Sequence, residues 1–126
     1  MPETVIVSAA RTPVGKLGGV LSSLPATVLG GEAIRAAVER SGIAPEAIEH
    51  AIMGQVIQAG AGQAPHRQAS FFAGLPKTVT SDTVNKVCAS GMLAIANADL
   101  LIRAGAHRTI VAGGIDRIES NVCDGG

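Results

Sequence analysis

Three observations predict an α/β fold with a parallel or mixed sheet and helices on both of its faces. First, short β-type apolar runs alternate with helical runs along the whole chain. Second, no period recurs and no long polar linker intervenes, so the 126 residues read as one unit. Third, hydrophobic residues make up 47% of the chain, yet the only aromatics are Phe71 and Phe72, and glycine occurs 16 times. Such a chain can bury roughly two-thirds of its unfolded surface. Its core is expected to be Ala, Val, Ile and Leu, with glycines allowing elements to approach closely.

The elements follow in order. Thr4 to Ala9 (TVIVSA) has the pattern of a short strand, ended by Arg11-Thr12-Pro13. Gly15 to Gly19 is a loop; its glycine spacing matches neither a P-loop nor a dinucleotide fingerprint, and no helix follows directly. Pro25 opens a helix to about Arg40, with Val28, Leu29, Ala33, Ile34, Ala37 and Val38 on its apolar face and Ser41-Gly42 as its stop. Pro45 to Glu49 is a helical turn, His50 to Gln58 a buried strand, and Pro65 starts a helix that Gly74 and Pro76 end. Thr80 to Val87 is a strand, Ala89 to Ala104 a helix closed by Gly105, and Arg108 to Ala112 a last strand running into Gly113-Gly114.

Composition excludes several function classes. Ten basic and ten acidic residues cancel, and no basic stripe or aromatic platform offers a surface for nucleic acid. Thr4 to Ala10 is too short to span a membrane, and the helical run after Cys88 carries Asn97, Asp99 and Arg103. Cys88 and Cys123 could in principle pair, but two cysteines in a chain this long, with no signal-peptide pattern, favour a reducing cytoplasm. His50, His66 and His107 share no metal-ligand spacing and are expected at the surface or at helix ends.

The segment Val84-Asn85-Lys86-Val87-Cys88-Ala89-Ser90-Gly91-Met92 carries the chemical interest. It puts Cys88 on a sharp turn at or just before a helix N-terminus, where unpaired backbone N–H groups and the macrodipole favour an anion. A thiolate is such an anion, and so is the oxyanion formed when a thiolate attacks a thioester. A helix terminus contributes roughly 0.3–1 kcal/mol, reaching about 2 when partly buried, so it lowers a thiol pKa by about one unit or less in most settings. A strong nucleophile would need a base as well. The competing reading is a small buried cysteine packed beneath the helix. Met92, Leu93, Ile95, Ala96, Leu100, Leu101 and Ile102 leave that helix little polar face, which predicts a place between layers. A helix end opening into a low-dielectric interior strengthens the functional reading without settling it.

Four stretches in order resemble the thiolase family, the acetyl-CoA acetyltransferases and 3-ketoacyl-CoA thiolases. They are the nucleophile segment Asp82 to Met92, the opening run Ala10-Arg11-Thr12-Pro13-Val14-Gly15, Gly62-Gln63-Ala64-Pro65 with Arg67-Gln68-Ala69, and Ile110-Val111-Ala112-Gly113-Gly114. The resemblance implies a thiolase-like fold in which residues 1–126 form an N-terminal layered αβα half with a mixed sheet and a buried helix after the nucleophile. It implies acyl transfer between coenzyme A thioesters through an S-acyl Cys88, in 3-ketoacyl-CoA cleavage or the reverse condensation of fatty acid metabolism. The Cys88 backbone N–H would help hold the oxyanion. Coenzyme A thioesters are substrates in this reading, with no resident cofactor or metal, and the enzymes are usually dimers or tetramers.

The resemblance also marks what lies elsewhere. In thiolases a lid-like loop domain, two histidines and a second, proton-transferring cysteine come later in sequence than Gly126, so this chain is expected to need a remaining segment, in the same or a second chain. Cys123 lacks the glycine-rich surroundings of that second cysteine and is read as incidental. After Gly113-Gly114 the family's Met-Glu-Ser-Met-Ser-Asn run is replaced by Ile115-Asp116-Arg117-Ile118-Glu119-Ser120-Asn121, one residue longer. The alternative is a non-catalytic thiolase-like fragment acting as an assembly or binding partner. Asn85-Lys86-Val87 argues against a ketoacyl synthase.

Overall fold

The structure, a computed structural model, describes residues 3–118. Three helices and three strands alternate: α1 (Ala26–Ser41), β1 (His50–Gly54), α2 (Pro65–Phe72), β2 (Thr80–Val84), α3 (Ser90–Arg103) and β3 (Ile110–Gly114), with a single 3-10 turn at Pro45–Ala47 before β1. The strands form a sheet in the order β2-β1-β3. Both pairings are parallel and share one register: His50 faces Thr80 and Ile110, and Gly54 faces Val84 and Gly114. The described sheet is therefore parallel rather than mixed. Each strand returns through a helix, and that connection favours parallel neighbours.

The period-two alternation of β1 sends its side chains to two cores. Met53 joins Ala26, Ile34, Val38, Ala69, Leu75 and Val79 beneath α1 and α2. Ile52 joins Ala94 and Ala98 beneath α3. The result is three layers, with α1 and α2 on one face of the sheet and α3 on the other.

Local chemistry sets the boundaries. Gly42 ends α1 in the left-handed conformation at φ 71°, its N–H returning to the Glu39 carbonyl. Inside α1, Gly30 and Gly31 cost helix propensity but permit contact. A Cβ on Gly30 would stand 2.3 Å from Cγ2 of Ile115, and one on Gly31 2.5 Å from Cβ of Phe72. Arg67 at the start of α2 reaches the carbonyls of Val79 and Lys77, tying the helix to the approach of β2, and lies over the Phe71 ring.

Several expectations are corrected. Thr4 to Ala9 forms no regular element and pairs with none of the described strands. The segment is tied to α1 instead, by Ser8 Oγ to the Ala37 carbonyl at 2.7 Å and Arg40 to the Ala9 carbonyl at 3.1 Å. Ile6 is 77% exposed. A groove of about 710 Å³ runs between this segment, α1, α3 and β3. Strand β1 stops at Gly54, not Gln58, because the Asp116 carboxylate accepts the N–H groups of Val56 and Ile57 and turns the chain away. Strand β2 stops at Val84, not Val87, as Asn85 begins a side-chain-capped turn. Helix α3 is not enclosed: Ser90, Ala94 and Ala98 are buried at four-residue spacing, while Met92, Ile95 and Leu100 remain exposed.

Candidate active site

The sheet's carboxyl ends, where open α/β folds gather their sites, converge on one turn. Gln55 donates its backbone N–H to the Val84 carbonyl at 2.9 Å, and Ile115 donates to the Gly54 carbonyl at 2.8 Å. Gly54 lets the first turn of α3 settle onto the end of β1. A Cβ there would stand 2.4 Å from the Ser90 carbonyl carbon. The chain leaving β2 must therefore reverse sharply to enter α3.

The reversal is built from Asn85 to Ser90. Asn85 Oδ1 accepts the Val87 N–H at 2.9 Å. Val87 adopts φ 51°, in the left-handed region that β-branched residues rarely enter. The Ala89 N–H bonds to the Lys86 carbonyl and the Ser90 N–H to the Val87 carbonyl, both at 3.1 Å. Ser90 Oγ accepts the Lys86 N–H at 2.8 Å and donates to the Val87 carbonyl at 2.6 Å. Cys88 stands at the tip of this elbow, exposed and free. The reading of Cys88 as a packing residue beneath the helix is not what the structure shows. No side chain caps the N-terminus of α3 at Ala89, which leaves the positive end of the helix next to the cysteine without a protein anion.

No histidine is hydrogen-bonded to Cys88 among the described residues. His50 is 5% exposed rather than a surface group. Its Nδ1 lies 2.6 Å from Thr80 Oγ1 and its Nε2 3.2 Å from an Asp82 carboxylate oxygen, and its ring stacks on His107. The hydroxyl and carboxylate on the neighbouring strand satisfy its polar atoms, which is what allows burial. This cluster sits where β1 and β2 begin, about 13 Å of strand away from the elbow. His66 bonds through its ring to the Thr83 hydroxyl. Burial depresses its pKa, with the nearby Asp82 opposing and Arg67 and His50 reinforcing the shift. Among the described residues no three His, Cys, Asp or Glu side chains are placed to hold a metal ion, and no helix is long and apolar enough to cross a membrane. Cys123 lies outside the described residues.

Cys88 stands out in the sequence, whereas the parts played by Asn85 and Ser90 emerge only in the folded turn. The signal available was two short polar side chains, three before and two after the cysteine, of the kind that bond to nearby backbone in turns.

This geometry has counterparts. Residues 4–123 match the family model described as the thiolase N-terminal domain. The acetyl-CoA acetyltransferase of Cupriavidus necator is 51% identical over 120 residues, which is 95% of this chain and 30% of that protein. The human mitochondrial acetyl-CoA acetyltransferase is 52% identical over 97% of this chain and 28% of its own length. The crystal structure of the Acat5 thiolase from Ascaris suum in complex with coenzyme A superposes with a TM-score of 0.85 at 41% identity, covering 86% of this chain and 28% of that one. The chain thus spans less than a third of the length of these relatives. By sequence and fold, it belongs to the thiolase family, as the part that the family's N-terminal domain describes.

Proposed function

We propose that Cys88 is the acyl-accepting nucleophile of a thiolase-type acyltransferase, working in a reducing compartment, whose site is completed by a segment beyond this chain. The observation that supports it is the exposed thiol on a strained elbow at an uncapped helix N-terminus. In thiolysis of acetoacetyl-CoA, the Cys88 thiolate attacks the keto carbonyl, and the carbonyl oxygen becomes an oxyanion. The Cys88 N–H, beside the positive end of α3, faces that charge. Collapse breaks the carbon–carbon bond; acetyl-CoA leaves as its enolate and takes a proton, and the acetyl group stays on sulfur. The thiol of a second coenzyme A then loses its proton and attacks the S-acetyl group, releasing acetyl-CoA and the thiolate. A helix terminus alone leaves much of a thiol protonated at neutral pH. The proton-transfer base is therefore assigned to the completing segment, as is the dimeric or tetrameric assembly.

The test is thiolysis of acetoacetyl-CoA by the chain alone and with a complementing C-terminal thiolase segment. Turnover only with the segment, abolished by Cys88→Ala, is expected. Full turnover by the isolated chain overturns the need for completion. Activity in the complemented mixture that survives Cys88→Ala overturns the assignment of the nucleophile.

A further inference from the structure

We infer that Ser90 is a positioning residue for Cys88, a role that deepens the proposed function and rests on it. Its hydroxyl is buried, with Ser90 only 4% exposed, and its bonding capacity is committed to the two residues before the cysteine. A serine hydroxyl has one hydrogen to donate. Here it goes to the Val87 carbonyl, while a lone pair takes the Lys86 N–H. Capping of α3 does not explain this arrangement, because both partners precede the helix.

The Val87 carbonyl and the Cys88 N–H belong to one planar peptide group. Fixing the direction of the carbonyl fixes that of the N–H, since the two point oppositely in a trans peptide. Ser90 thereby aims the donor assigned to the oxyanion, and with it sets where the Cys88 side chain leaves the backbone. The clamp is needed because Val87 holds φ 51°. A β-branched residue in the left-handed region relaxes unless its surroundings over-determine it. Asn85 holds the N–H side of Val87 and Ser90 the carbonyl side.

The experiment uses the full chain in a Cys123→Ala background, with iodoacetamide as the probe. Alkylation rate is followed against pH beside a free thiol, and far-UV circular dichroism reports the helices. Wild-type Cys88 is expected to react severalfold faster than the free thiol at neutral pH. Ser90→Ala should lower the rate three- to tenfold and move the pH profile toward that of the free thiol. Adding Val87→Gly should restore at least half of the loss, because glycine holds a positive φ without the clamp.

Ser90→Ala with wild-type rate and pH profile, against an accelerated wild type, overturns the inference alone. So does a folded Ser90→Ala that Val87→Gly fails to rescue. A Ser90→Ala that loses its helices with and without Val87→Gly makes Ser90 a packing residue and also overturns it. Wild-type Cys88 reacting as a free thiol overturns this inference, and if it does so even with a complementing C-terminal thiolase segment present, the nucleophile reading falls with it.

Discussion

Gly54 and Ser90 touch backbone to backbone: a Cβ on Gly54 would lie 2.4 Å from the Ser90 carbonyl carbon and 2.6 Å from its oxygen. Neither atom belongs to a flexible side chain, so the contact cannot be relieved by a rotamer change. Gly54→Ala therefore pushes the first turn of α3 off the sheet and deforms the elbow at Cys88. Overpacking of this kind costs about 1–3 kcal/mol. In urea unfolding the midpoint should fall, and Cys88 alkylation should change in the same variant. A stabilised Gly54→Ala, as strand propensity alone would favour, would show that this contact does not shape the protein.

Ala64 makes a complementary case. It precedes α2 at φ 50°, and its side chain offers no cap to the helix. Left-handed backbone costs an ordinary residue roughly 1–2 kcal/mol, while glycine is free of that penalty. Glycine also serves better than alanine at an N-cap. After the added entropy of the unfolded chain, Ala64→Gly is expected to stabilise by about 0.5–1 kcal/mol. Thermal or urea unfolding measures it; a loss of stability contradicts the assignment of strain to Ala64.

Gly54 and Ala64 show what a sequence displays and what it hides. The αβ alternation, the stop of α1 at Gly42 and the turn before α3 are local patterns, and they were legible because each depends on neighbours in sequence. The unpaired state of Thr4 to Ala9 was not: its apolar pattern fits a strand, but the bonds that hold it, from Ser8 to Ala37 and from Arg40 to Ala9, come from α1, about thirty residues away in sequence. The sequence places His50 at the surface because its polarity is local, whereas the Thr80 and Asp82 partners that let it bury come from another strand. Cys88 stood out through its place before a helix. Ser90 did not, since its role exists only once the turn has brought Lys86 and Val87 back upon it.

His66 gives stability a pH dependence. Burial lowers its folded pKa below the reference of 6.5, and Asp82 opposes that shift while Arg67 and His50 add to it. In the unfolded chain the ring takes a proton near the reference value; in the folded chain it does so only at lower pH. The unfolded state therefore binds more protons across that window, and stability falls as pH drops from 6.5 toward the folded value. Above 6.5 the contribution is constant. Urea midpoints at several pH values, for wild type and His66→Gln, should show a decline below 6.5 that is shallower in the variant. Equal slopes would assign the acid sensitivity to other groups.

The exposed side of α3 sets the behaviour of the chain in solution. Met92, Ile95 and Leu100 are 76%, 47% and 64% exposed, and Phe71 and Phe72 add exposed rings on α2. Apolar surface of this extent on a small domain is removed from water by association. In sedimentation velocity, weight-average mass should rise with protein concentration. Met92→Glu combined with Leu100→Glu should lower it toward the monomer at little cost to folding, because both side chains stand in solvent and surface changes usually stay within about 0.5 kcal/mol. A complementing thiolase segment should suppress the same association if it covers α3. A chain that stays monomeric at every concentration would show that α3 tolerates water, and that the need for completion lies in catalysis alone.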